Sequence, residues 1–107
     1  MSALGLRGHQ PRTVRFTAET APASADAARV HLSAPQPTSV LQIRNEQPSG
    51  GNSIRVYWLE ADYTADANYF TLGAASEYEG PAEVKEFWVR GQGGNADMTA
   101  IFYLRRG

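Results

Sequence analysis

From Ser39 to Arg106 the chain alternates strand-sized apolar runs with glycine-rich or acidic breaks, and this rhythm constrains the fold more than any other feature. SVLQIRNEQ, SIRVYWLEA, NYFTLG, VKEFWVRG and MTAIFYLRR are each long enough for one β-strand, and PSGGN and GQGGN separate two of the pairs. Such punctuation leaves no stretch for a long helix, so an all-β protein is expected. At 107 residues, 42% apolar and 20% charged, the chain has the size and composition of one soluble globular domain. We expect an antiparallel β-sandwich, jelly-roll-like or immunoglobulin-like, over residues 12–107, preceded by an extended N-terminal arm over residues 1–11.

The arm contains two glycines, a proline and isolated Leu4 and Leu6, with no period that would nucleate an element. It is expected to be either a disordered terminus or, given its apolar residues and Arg7, a strap that orders on a neighbouring subunit. In TVRFTAE, Val14 and Phe16 alternate with Thr13, Arg15 and Thr17, the period-2 pattern of a half-buried strand. TAPASADAA is expected to be a loop, with one short turn capped by Ser24 as the alternative. RVHLSA places Val30 and Leu32 on one face and His31 on the other. SVLQIRNEQ, ending at the turn-tolerant Asn45, and SIRVYWLEA are expected to form a hairpin across PSGGN.

DYTADA is expected to be an acidic loop before NYFTLG, where Phe70 and Leu72 point inward. Gly80-Pro81 interrupts the next segment, so AASEYEGPAEVKE is an edge strand or long loop. EFWVRG puts Phe87 and Val89 on one face and Trp88 on the other. MTAIFYLRR is apolar on both faces, which places it centrally in a sheet with both sides covered, by its own domain or by a partner.

With no cysteine, disulfides, thiolate catalysis and cysteine-ligated zinc are excluded. The opening MSALGLRGHQPRTVRF lacks the apolar core of a signal peptide, and no run of about 20 apolar residues occurs, so a chain made in the cytoplasm is expected. His9 and His31 have no ligand-spaced partners, and Glu60, Asp62 and Asp66 lack the glycine and terminal glutamate of an EF-hand loop. No serine sits in a GxSxG elbow, no carboxylate pair is singled out, and GGN and GQGG lack the lysine and helix of a phosphate loop. The expectation is a protein that is not an enzyme, with no catalytic residue, metal or cofactor. Trp58, Trp88 and the tyrosines offer a stacking platform for sugars, whereas the net charge of −1 argues against nucleic acid.

The charge is unevenly distributed: residues 1–59 carry +3, residues 60–89 carry −6 and the remainder +2. Such bipolarity favours head-to-tail association or docking on a charged partner. Nine of the ten basic residues are arginine, whose planar guanidinium suits protein interfaces.

The order of pieces, a run closing in IRN, a strand IRVYW, then NYFTL, a glycine and acidic residues, FWVRG and a final apolar strand, resembles the small β-sandwich virion proteins of tailed bacteriophages. The resemblance runs over roughly Val40 to Leu104. It implies a structural role in the virion, first as a capsid decoration or cement protein that stabilises contacts between major capsid subunits. A tail or head-to-tail connector component, or a carbohydrate-binding module, is the alternative. The expected partners are the major capsid protein or other virion proteins, in a homo-oligomer or multi-copy assembly, with neither nucleic acid nor membrane. Leu4, Leu6, Arg7, Arg12, Tyr57, Trp88, Arg105 and Arg106 are the expected contacts.

Overall fold

The computed structural model describes residues 9–33, 38–81 and 84–105. Eight strands run in chain order: β1 (His9–Ala18), β2 (Arg29–His31), β3 (Thr38–Asn45), β4 (Ser53–Tyr57), β5 (Phe70–Leu72), β6 (Glu77–Pro81), β7 (Glu86–Gln92) and β8 (Ala96–Arg105). They form two four-stranded antiparallel sheets, ordered β1-β8-β3-β6 and β2-β7-β4-β5. The expected all-β class is what the chain adopts. One helix is present among the described residues, α1 (Glu60–Ala65), beside a single 3-10 turn (Asp26–Ala28).

Period-2 alternation aims one face of each sheet at a shared core. Met98, Ala100 and Phe102 of β8 and Leu41 and Ile43 of β3 enter it from one side; Ile54 and Val56 of β4 and Phe87 and Val89 of β7 enter from the other. The rings of Phe87 and Phe102 meet across the gap, with centroids 6.1 Å apart. β8 is central, between β1 and β3, as its apolar character requires, and β6 with its Gly80-Pro81 ending is an edge strand.

Four local expectations are corrected. β3 and β4 are not a hairpin: they lie in different sheets, and Pro48–Asn52 carries the chain from one layer to the other. Leu41 and Ile43 of β3 and Ile54 and Val56 of β4 meet the same core from opposite sides. The segment around Ser24 is a turn rather than a loop, and its Oγ accepts the Ala27 N–H at 3.1 Å. DYTADA is largely helical; Glu60 and Asp62 occupy the first turn, where the helix dipole favours acid, and Asp66 ends it at φ 52°. Finally, β1 starts at His9, inside the segment expected as arm, where it pairs with Arg105.

Asn45, at the end of β3, is the one fully buried polar residue among the described residues and ties the layers together. Its Nδ2 donates to the carbonyls of Asn52 at 3.0 Å and Leu72 at 3.1 Å, and its Oδ1 accepts the Gln47 N–H at 2.9 Å. Leu72 belongs to the opposite sheet, so this amide is an inter-sheet pin.

Candidate functional site

The two sheets treat their outer faces differently. On the β2-β7-β4-β5 sheet, α1 packs against β4 and β7 and closes a second, smaller core of Ala28, Tyr57, Tyr63 and Trp88. This explains the unbroken burial of Phe87, Trp88 and Val89 along β7: one face meets the main core, the other meets α1. Tyr57 is 0% exposed and Trp88 6%, so neither presents the surface expected of a contact residue. They point away from the main core, as alternation requires, but the chain supplies its own cover. Trp58 is engaged with Phe70, Tyr78 and Phe87 at centroid distances of 5.7, 5.7 and 6.0 Å.

A clasp of charge and aromatics holds α1 in place. Arg55 Nη1 donates to both oxygens of Asp66, at 2.8 and 3.0 Å, and its Nε donates to Gln92 Oε1 at 2.8 Å. The Tyr57 hydroxyl donates to Asp66 Oδ1 in a very short bond. Arg55 lies over the Tyr69 ring at 4.6 Å and Arg90 over the Tyr63 ring at 4.3 Å. The Tyr57 hydrogen bond, then Arg55, hold the Asp66 carboxyl below its ordinary range. Burial, then Asp66, push the Tyr57 hydroxyl up, and the Asp66 hydrogen bond raises the Arg55 guanidinium. Both carboxylate oxygens are engaged, and the arrangement fixes a short helix that its six residues alone could not sustain.

The outer face of the β1-β8-β3-β6 sheet has no such cover among the described residues. Along β8, Asp97, Thr99, Ile101 and Tyr103 alternate with the buried Met98, Ala100 and Phe102 and point outward. Register places Thr13, Arg15 and Thr17 of β1 on one side of them, and Gln42 and Arg44 of β3 with Glu77 and Glu79 of β6 on the other.

Hydrogen bonds link the side chains of this surface across the strands. Tyr103 donates to Gln42 Oε1 at 2.6 Å and Gln42 Nε2 to Glu79 Oε2 at 2.8 Å; Thr99 donates to Glu46 Oε2 at 2.8 Å and Thr17 to Asp97 Oδ1 at 2.9 Å. Burial, with Glu79 nearby, raises the Tyr103 hydroxyl. Two shallow depressions open here, of about 540 Å³ beside Arg15, Thr17 and Asp97 and about 210 Å³ beside Arg44, Glu77 and Ile101; Glu46 and Thr99 line both.

Of the expected contacts, Arg12 is exposed on β1, and Arg105 is described through its backbone pairing with His9. Leu4, Leu6, Arg7 and Arg106 lie outside the described residues. Arg15, Ile101 and Tyr103, which line this open face, are not among the contacts expected from sequence. The signal was present in the two apolar faces of MTAIFYLRR, of which only one meets the core. Comparison with protein-family models, with curated proteins and with solved structures finds no match for this chain. Among the described residues no three His, Cys, Asp or Glu side chains gather as metal ligands.

Proposed function

We infer that the chain is a jelly-roll β-sandwich serving as a structural virion protein of a tailed phage, a decoration or cement protein bridging major capsid subunits. The sandwich type is supported by strand order: successive strands mostly alternate between sheets, and β1-β8-β3-β6 facing β2-β7-β4-β5 is a double Greek-key order, which capsid and lectin domains share. Fold alone does not give function.

The observation that carries the functional reading is the open face around Ile101 and Tyr103. It is hydrogen-bonded and polar at its margins, with half-buried side chains at its centre, and the chain covers the equivalent face of its other sheet. An apolar centre within a polar rim is the anatomy of a protein interface. Small contacts repeated over a lattice add up through avidity, which suits a cement protein. The engagement of Trp58 with three neighbouring rings and the burial of Trp88 weigh against the sugar-binding alternative.

The test is co-sedimentation of the purified chain with heads and with tails of the phage that encodes it, using wild type and Ile101→Asp. Saturable binding to heads, abolished in a variant with an unchanged circular dichroism spectrum, is expected. Binding to tails alone moves the protein to the tail or connector; binding untouched by the substitution removes this face from the interface.

A further inference from the structure

The edges of the β1-β8-β3-β6 sheet differ in sign. At one edge β1, ten residues long, carries exposed Arg12 and Arg15, which form no ion pair among the described residues. At the other edge β6 carries exposed Glu77 and Glu79, and Glu77 has no side-chain partner among the described residues. The second sheet ends in β2 and β5, three residues each, too short to offer a pairing edge. We propose that copies of this chain associate head to tail, the basic β1 edge of one pairing antiparallel with the acidic β6 edge of the next to make one continuous sheet.

Strand direction permits this without any rotation of the incoming copy. In a four-stranded antiparallel sheet the two edge strands run in opposite directions, so a copy in the same orientation brings its β1 antiparallel to β6. Face also matches: Arg15 shares the outer face with Thr13 and Thr17, and Glu77 and Glu79 share that face with Arg44 and Gln42. With Arg15 opposite Glu77, Tyr78 falls opposite Val14; with Arg15 opposite Glu79, it falls opposite Phe16. Either register therefore joins opposite charges outside and apolar side chains inside, both favourable cross-strand pairs. Two β1 edges meeting would instead oppose arginine to arginine, which argues against a two-fold dimer. A head-to-tail contact is heterologous, so it propagates into a ring or an open array.

The experiment is sedimentation velocity of the full chain from micromolar to millimolar concentration at low ionic strength, where exposed charge pairs are least screened. Wild type associates. Arg15→Glu, and separately the pair Glu77→Arg with Glu79→Arg, each weaken association by about tenfold or more through like-charge opposition. An equimolar mixture of the two variants recovers association in alternating order, since the acidic edges of one chain meet the basic edges of the other at both junctions. A wild type that stays monomeric throughout, association indifferent to either variant, or a mixture no better than its components overturns the proposal.

The inference rests on reading the chain as an assembly module, and the two fail separately. A monomer that still binds heads sinks edge pairing alone; a chain that associates yet ignores heads sinks the cement reading alone.

Discussion

Replacing Asn45 should reveal how far one amide holds the two layers in register. Its side chain is 0% exposed and makes three hydrogen bonds, two of them to carbonyls and one to a backbone N–H. At about 1 kcal/mol net per bond, Asn45→Ala costs about 3 kcal/mol, since the Leu72 carbonyl is buried and loses its partner. For a chain of this size that is about 12 °C in Tm. Asn45→Asp keeps the shape but points a carboxylate at two carbonyls. It costs more at neutral pH, and acidification returns part of the loss as the carboxyl takes up a proton and can donate. The assay is urea unfolding followed by tryptophan fluorescence, with Trp88 as the buried reporter; the midpoint moves and the slope does not. An Ala variant within about 0.5 kcal/mol of wild type, or an Asp variant whose deficit ignores pH, refutes the inter-sheet pin.

Trp88→Ala is expected to cost about 3–5 kcal/mol, the scale for emptying a buried aromatic site, whereas a true contact residue would leave the melting curve in place. Gly91→Ala should destabilise as well, because an added Cβ would stand 2.6 Å from the Ala18 carbonyl oxygen, and scanning calorimetry reads the loss directly. For the helix clasp, Asp66 is depressed below its ordinary 3.8, so its contribution is whole above that value and disappears as pH falls through the lower folded value. Tyr57 is raised above 10.0, so its contribution is whole below 10.0 and disappears as pH rises through the higher folded value. Chemical denaturation across pH should show both steps, and Asp66→Asn should erase the acid one.

The strands could be read from sequence because alternation survives wherever one face meets the core: Val14/Phe16, Ile54/Val56 and Met98/Ala100/Phe102 all announce themselves. Pairing could not be read, because β3 and β4 are neighbours in the chain yet face each other across the core; only long-range packing distinguishes that from a hairpin. The helix at Glu60–Ala65 escaped because six residues are too few to display a period. Tyr57 and Trp88 were placed on the correct face, but the cover over them comes from α1 and the turn at Asp26–Ala28, elements that the pattern did not announce. The open face was half visible, since MTAIFYLRR signals a second apolar side without saying what meets it. The charge asymmetry was visible as composition, and the fold turned it into geometry by setting Arg12 and Arg15 at one sheet edge and Glu77 and Glu79 at the other.

Hydroxyl-radical footprinting of the chain alone and mixed with phage heads most directly examines the proposed attachment through the β1-β8-β3-β6 face. Ile101 and Tyr103 should lose reactivity on binding, while Leu59 and Tyr69, 60% and 37% exposed, keep theirs. Protection at Leu59 and Tyr69 with Ile101 and Tyr103 unchanged would contradict it.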